Sequence, residues 1–270
     1  PPEGALSDAT LCELAAGGFT WTASSQSILE ASFIHHNAAR EPYRLFRHEA
    51  TGLHCAFRDD RLSDRIGFDY QHWQPQDAVR DLVTHLESIA GEYGSDVALI
   101  ALDGENPWEY YPDEGNLFLR SLYGALVANA VLQPATMQDC LRDCSAVAVP
   151  LPALRAGSWV YGQLLTWIGH HEKNRAWEWL IEAKRRCDES GRTDAALAHR
   201  LGACEGSDWF WWPGVYNPAP SVAQFDELFR THLSALYRVL GTDPPTALAR
   251  PFASGVAAEA TAGGVMQRST

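Results

Sequence analysis

The run Leu99-Ile100-Ala101-Leu102 stops at Asp103-Gly104-Glu105, and Asn106-Pro107-Trp108-Glu109-Tyr110-Tyr111 follows. Two carboxylates thus leave the end of an apolar, strand-like run and enter an aromatic-rich stretch. Asp-Gly after a strand is also a common turn, because the Asp side chain bonds its own backbone. A carboxyl that protonates a glycosidic oxygen needs a second carboxylate on the other face of the sugar. Asp103 and Glu105 leave the same strand, so the partner of either must come from another strand end. The two acids also suit Mg²⁺ ligation and metal-dependent hydrolysis, although no Gly-rich, phosphate-cradling loop accompanies them.

Other clusters offer less. Phe57-Arg58-Asp59-Asp60-Arg61-Leu62-Ser63-Asp64-Arg65 is dense in opposite charges and reads either as a solvated turn with a helix cap or as part of a cleft. His170-His171-Glu172-Lys173-Asn174-Arg175 fails as a zinc helix, since Arg175 stands where H-E-x-x-H needs its second His. His35-His36 reads as a loop pair. Cys140 and Cys144 share a helix face with no nearby His to complete a zinc site. Gly206-Ser207-Asp208-Trp209-Phe210-Trp211-Trp212-Pro213-Gly214 is costly to expose, so its aromatics either pack an interface or face a ligand. We expect it to line a cleft beside Asp103.

The elements that must position these groups are legible from periodicity. Short strands are expected at 19–23, 43–46, 53–57, 97–102 and 146–149, and helices at 25–33, 75–90, 114–129 and 136–144. The run 97–102 has the continuous apolar character of a strand buried on both faces. Helices follow at 171–189, 192–204 and 221–240, the last with Leu228, Phe229, Leu233, Leu236, Tyr237 and Leu240 on its apolar face. The first half is therefore β/α and the second helical. In β/α folds the chemistry sits at the C-terminal ends of strands, where Asp103, Arg58 and Asp59 all fall. Residues 253–270, rich in Ala, Gly and Ser, are expected to fray.

Composition narrows the partners. The 270 residues carry a formal charge of −13 and no basic block, which argues against nucleic acid and against an anionic membrane surface. No apolar run approaches the roughly 18 residues of a membrane span. The six cysteines form no C-x-x-C pair and suit free thiols in a reducing, cytoplasmic setting. Ten Trp is high for this length, and flat aromatic faces suit sugar rings as well as cores. The chain opens Pro1-Pro2-Glu3 without Met, so processing or a longer parent is expected.

Five stretches, in order, resemble glycoside hydrolase family 57, the family of α-amylases, 4-α-glucanotransferases, amylopullulanases and branching enzymes. They are Pro2-Glu3-Gly4-Ala5-Leu6-Ser7-Asp8, Phe57-Arg58-Asp59 through Gly67-Phe68, Leu102-Asp103-Gly104-Glu105-Asn106-Pro107-Trp108-Glu109-Tyr110, Thr166-Trp167-Ile168-Gly169-His170 with Lys173-Asn174-Arg175-Ala176-Trp177, and Glu205-Gly206-Ser207-Asp208-Trp209-Phe210-Trp211-Trp212. The resemblance implies the C-terminal part of a distorted (β/α)7 barrel over 1–150, then a helical domain over 151–252 that completes the cleft, then a flexible tail. It implies a retaining mechanism on α-glucans with no cofactor or metal. Glu3 falls on the family's nucleophile and Asp103 on its acid/base. Trp21, Arg58, Asp64, Glu105, Trp108, Trp167, Asn174, Trp177, Asp208 and Trp209 are the expected substrate contacts. The family's upstream His-Gln-Pro strand has no counterpart here, so little activity is expected of this chain alone. A non-catalytic glycan-binding remnant is the alternative.

Overall fold

Local side-chain chemistry starts most of the helices. Ser7 Oγ accepts the Thr10 N–H at 3.2 Å and opens α1, Asp8–Ala16. Ser25 ends β1, Trp21–Ser25, and its Oγ accepts the Ser27 N–H at 3.1 Å to open α2, Gln26–Ser32. β2 is Phe46–His48 and β3 is His54–Arg58. Asp59 Oδ1 accepts the Leu62 N–H at 2.8 Å and starts the short α3, Asp60–Asp64. Such caps satisfy N–H groups that have no partner inside the helix, each contributing about 0.5–2 kcal/mol. α4, Pro75–Tyr93, begins on a proline, and α5 is Asn116–Ala128. α6, Met137–Cys144, opens on a reciprocal Thr136/Asp139 capping box, and β4 is Val149–Leu151.

The computed structural model describes residues 1–33, 42–94, 97–104 and 107–256. His35-His36, Glu105 and the segment 257–270 lie outside them. The described residues divide into two compact units after Leu164. In the first, four strands form one sheet in the order β1-β3-β2-β4. β1 and β3 are parallel with Trp21 opposite His54 and Ser25 opposite Arg58, β2 is antiparallel to β3, and β2 and β4 are parallel. One side packs Leu6, Leu11, Ile28, Leu29, Phe46 and Phe57 into a common core. A second core gathers Leu62, Ile66, Tyr70, Leu82, Tyr111 and Phe118 around α4 and α5. Burying a side chain such as Phe57, which is fully covered, contributes about 1.5–3 kcal/mol.

The expected strand at 97–102 is reduced to a single parallel bridge, Leu99 to Arg58, with the Asp59 N–H donating to Leu99 O at 2.9 Å. Its side chains are half-buried or exposed rather than covered on both faces. The run therefore extends β3's C-terminal tip without forming a full ladder.

The second unit is helical: α7, His171–Glu189; α8, Ala195–Cys204; α9, Asp208–Trp211; and α10, Ala219–Val239. α10 buries Val222, Phe229, Leu233, Leu236 and Tyr237, whereas Leu228, expected on this face, is exposed. Fraying from 253 is not observed up to 256. Ser254 N–H and Oγ both donate to Glu172 Oε1 at 2.9 Å, and Val256 pairs with 217–219.

Candidate active site

Because β1 and β3 are parallel and in register, they end side by side, with Ser24 and Ser25 next to Phe57 and Arg58. The turn Pro2–Gly4 is fastened to this edge. Buried Ser24 Oγ donates to Gly4 O at 2.7 Å. Leu6 forms an antiparallel bridge with Gly157, and the Trp159 N–H donates to Glu3 O at 3.0 Å. Trp159 then adds a side-chain bond, its indole Nε1–H donating to Glu3 Oε2. Glu3 itself has φ 50° and ψ 28°, a left-handed conformation that non-glycine residues adopt only when surroundings enforce it.

Arg58 is the centre of the edge and only 4% exposed. Its Nε donates to Asp60 Oδ1 at 2.8 Å, Nη2 to Asp64 Oδ1 at 3.0 Å and Nη1 to Ala101 O at 3.2 Å. Its guanidinium carbon lies 4.5 Å from the centre of the Trp159 ring. The Ala101 N–H in turn donates to Ser63 Oγ at 3.3 Å. The backbone just before half-buried Asp103 is thus tied to Arg58, and Arg58 is stacked on the residue that holds Glu3. Asp60 also accepts from Ser25 Oγ at 2.7 Å. Asp59 is buried and accepts the Tyr43 hydroxyl at 2.8 Å; burial first, and then Asp59, pushes that phenol well above its usual range. Among the described residues, no group of three His, Cys, Asp or Glu side chains is placed to hold a metal ion.

At this edge Glu3 and the backbone leading to Asp103 come from separate parts of the chain, and the Arg58 network joins their supports. The model of the family described as glycosyl hydrolase family 57 matches residues 1–152, more than half of the chain. The chain belongs to glycosyl hydrolase family 57. It is similar to a crystal structure of a GH57 branching enzyme from the hyperthermophilic archaeon Thermococcus kodakaraensis, in complex with glucose and additives. The identity is 14% and the TM-score 0.66, covering 85% of this chain and 53% of that one. A GH57-type branching enzyme from Pyrococcus horikoshii matches at 15% identity and TM-score 0.58, covering 88% and 54%. At such identities the likeness is one of fold: part of a distorted barrel of the (β/α)7 type followed by an α-helical unit. The chain spans about half the length of these solved relatives. No curated protein matches it. No helix among the described residues is long and apolar enough to cross a membrane.

Within this family 57 chain the sequence-derived contacts separate into groups. Glu3, Arg58, Asp64 and the backbone leading to Asp103 are connected through the edge just described. Arg58 and Asp64, both expected substrate contacts, bond each other at this edge. Trp21 stands opposite His54 at the N-terminal end of β1, the end away from Ser24 and Ser25. Trp108 packs between Tyr111 and Phe118, with ring centres 5.3 and 6.3 Å away, and lies against the second core. Glu105 is outside the described residues.

Within the helical unit the aromatics of 206–214 make close contacts with Trp167 and with neighbouring helices. Trp177 stacks on Phe210 at 3.7 Å and donates Nε1–H to Trp167 O at 2.9 Å. Trp167 is buried against Trp211 at 5.6 Å. Trp209 lies against Phe229 at 5.8 Å and donates to Ala203 O at 2.8 Å. Asn174 Oδ1 accepts the Gly169 N–H at 2.8 Å and closes the turn before α7. Asp208 starts α9.

Two residues that matter went unnoticed in the sequence. Trp159 had no local signal beyond the high Trp content. Lys173 lies inside the stretch Lys173-Asn174-Arg175-Ala176-Trp177, which gives it no role of its own. It is fully buried, and its Nζ donates to Phe210 O at 2.6 Å and Trp211 O at 2.7 Å. A lysine on the apolar stripe of α7, three residues before Ala176, was the available clue.

Proposed function

We propose that this chain forms the catalytic edge of a retaining glycoside hydrolase or transglycosylase that acts on α-glucans, with Glu3 as nucleophile and Asp103 as acid/base. In the first step a Glu3 carboxylate oxygen attacks the anomeric carbon and the glycosidic C–O bond breaks. The leaving oxygen takes the Asp103 proton, giving a covalent glycosyl-enzyme. In the second step water or a sugar hydroxyl gives its proton to Asp103, attacks the same carbon and releases Glu3. Family membership supports this reading, and so do the names of the two solved relatives, both branching enzymes. The observation that carries it is the fixed placement of Glu3 at the ends of β1 and β3, on the same Arg58 network that holds the backbone before Asp103.

The test uses 5-fluoro-α-glucosyl fluoride on the native protein. Fluoride leaves without a proton, so the first step bypasses Asp103. Peptide mapping is expected to place the glycosyl adduct on Glu3. Asp103→Asn should still be labelled, while its turnover of maltooligosaccharides falls by about 10²–10⁴-fold, the usual contribution of a general acid. Label on another carboxylate would overturn the assignment.

A further inference from the structure

We propose that Trp159 is the positioning residue of the Glu3 carboxylate: its indole N–H holds Oε2 and sets the plane from which Glu3 reacts. This rests on Glu3 being the nucleophile. The observation is a rigid relay that begins in the sheet. Arg58 is buried at the end of β3 and committed to Asp60, Asp64 and Ala101 O, so its guanidinium has little freedom. Its flat face supports the Trp159 ring at 4.5 Å. The opposite constraint comes from Gly4, where a Cβ would lie 2.7 Å from the same ring, so only glycine allows this approach. The backbone of Trp159 is fixed too. Gly157 pairs with Leu6, and a Cβ there would meet Ile28 Cδ1 at 2.4 Å and Gly162 O at 2.6 Å. The indole is thereby aimed, and its N–H meets Glu3 Oε2.

The chemistry follows from two effects. A hydrogen bond to the ionised carboxylate favours that form over the acid, and a nucleophile must be ionised. A guanidinium over the ring face draws on its π density, which makes the indole N–H a stronger donor. Neither effect needs contact between Trp159 and substrate. Half-buried Glu3 has rotatable side-chain bonds, and a donor fixed on Oε2 narrows their range toward the orientation that aligns with the anomeric carbon.

The native protein is compared with Trp159→Phe, which keeps an aromatic ring and loses the donor, and Trp159→His, which restores a ring N–H. Trp159→Phe is expected to lower kcat/KM by about 10- to 100-fold, the weight of one hydrogen bond to a charged group. KM should change little, and the acid limb of the pH profile should move to higher pH as Glu3 becomes harder to ionise. Trp159→His should recover part of the loss. A measurement in the unmodified fold guards against a variant that does not fold. With ¹⁵N-labelled Trp, the Trp159 indole proton should titrate with Glu3 and shift upfield in Glu3→Gln. An indole signal indifferent to Glu3→Gln, or an unmoved acid limb in folded Trp159→Phe, would overturn the proposal even if Glu3 still takes the fluoroglucosyl label. If instead the label lands elsewhere, the nucleophile reading fails while the Trp159–Glu3 coupling remains measurable.

Discussion

Arg58 in the sheet unit and Lys173 in the helical unit are both cations buried at quoted motifs, and the two regions house them differently. Arg58 faces Asp60 and Asp64, whose side chains are 21% and 18% exposed, and gives a third donor to a carbonyl. Opposite charges close by keep such a group charged and oriented. Lys173 faces two backbone carbonyls and the Tyr216 ring at 5.5 Å, with Glu172 beside it in sequence. Burial lowers its ammonium to about 7, against the attraction of Glu172. The contrast is one of chemistry: the first region holds a charge in place at the edge that carries Glu3 and the backbone before Asp103, whereas the second uses an amine as a hydrogen-bonding staple for an aromatic loop.

Removing the Arg58 charge should have the largest effect on stability. Arg58→Met leaves the partly covered Asp60 and Asp64 carboxylates without the cation they share, and breaking one side of such a pair costs up to about 3–5 kcal/mol. Urea unfolding followed by tryptophan fluorescence reads the loss. Adding Asp60→Asn and Asp64→Asn to the same variant should recover much of it. If the single variant is as stable as the wild type, Arg58 is not the hub that the contacts make it. Lys173→Met should cost less, about 1–3 kcal/mol, because it removes the lysine donor from Phe210 O and Trp211 O, the latter keeping Asn217 Nδ2–H at 3.2 Å, and strands no charge. A cost equal to that of Arg58→Met would remove the distinction between the two regions.

What was legible in the sequence follows the same division. Helices whose start and stripe are both local, such as α4 and α7, begin where the sequence says, at Pro75 and His171. The run 97–102 was read as a full strand because apolar continuity does not reveal how much of a ladder a neighbour offers; here β3 offers only its tip. Glu3 and Asp103 stood out through motif resemblance, since each lies in a short contiguous signature. Trp159 did not, because its meaning depends on Gly4, Arg58 and Glu3, which are remote in sequence. The partners of the Trp-rich loop are hidden from the sequence for a related reason. Exposure of aromatics is costly, but the sequence alone does not say whether the cover is a ligand or, as for Phe210 and Trp209, the loop's own helices.

The smallest expected effect is a slope, and it sharpens the contrast most directly. Lys173 titrates near 7 when folded and near its ordinary 10.5 when unfolded. Between these values the unfolded chain binds the extra proton, so stability rises with pH, by at most about 1.4 kcal/mol per unit for one group. Below about 7 both states hold the proton and the slope vanishes. Burial disfavours the ammonium, and the neutral amine still has two N–H donors for its two carbonyl acceptors. The surrounding titratable groups are Glu172, whose Oε1 is occupied by Ser254, His170 with Nδ1 3.9 Å from Glu172 Oε2, and Tyr216, raised by burial. Higher pH brings an opposing trend. Cys55 and Cys204 are pushed up to about 12 by burial, so the unfolded chain loses their protons first and stability falls once free thiols ionise, near pH 8.5. The window is therefore from about pH 7 to about 8.5. Urea midpoints across it should climb in the wild type and stay level in Lys173→Met. Arg58→Met should keep the climb, because a guanidinium does not titrate there. A climb that persists without Lys173 would assign the slope to another group and leave the two buried cations electrostatically alike.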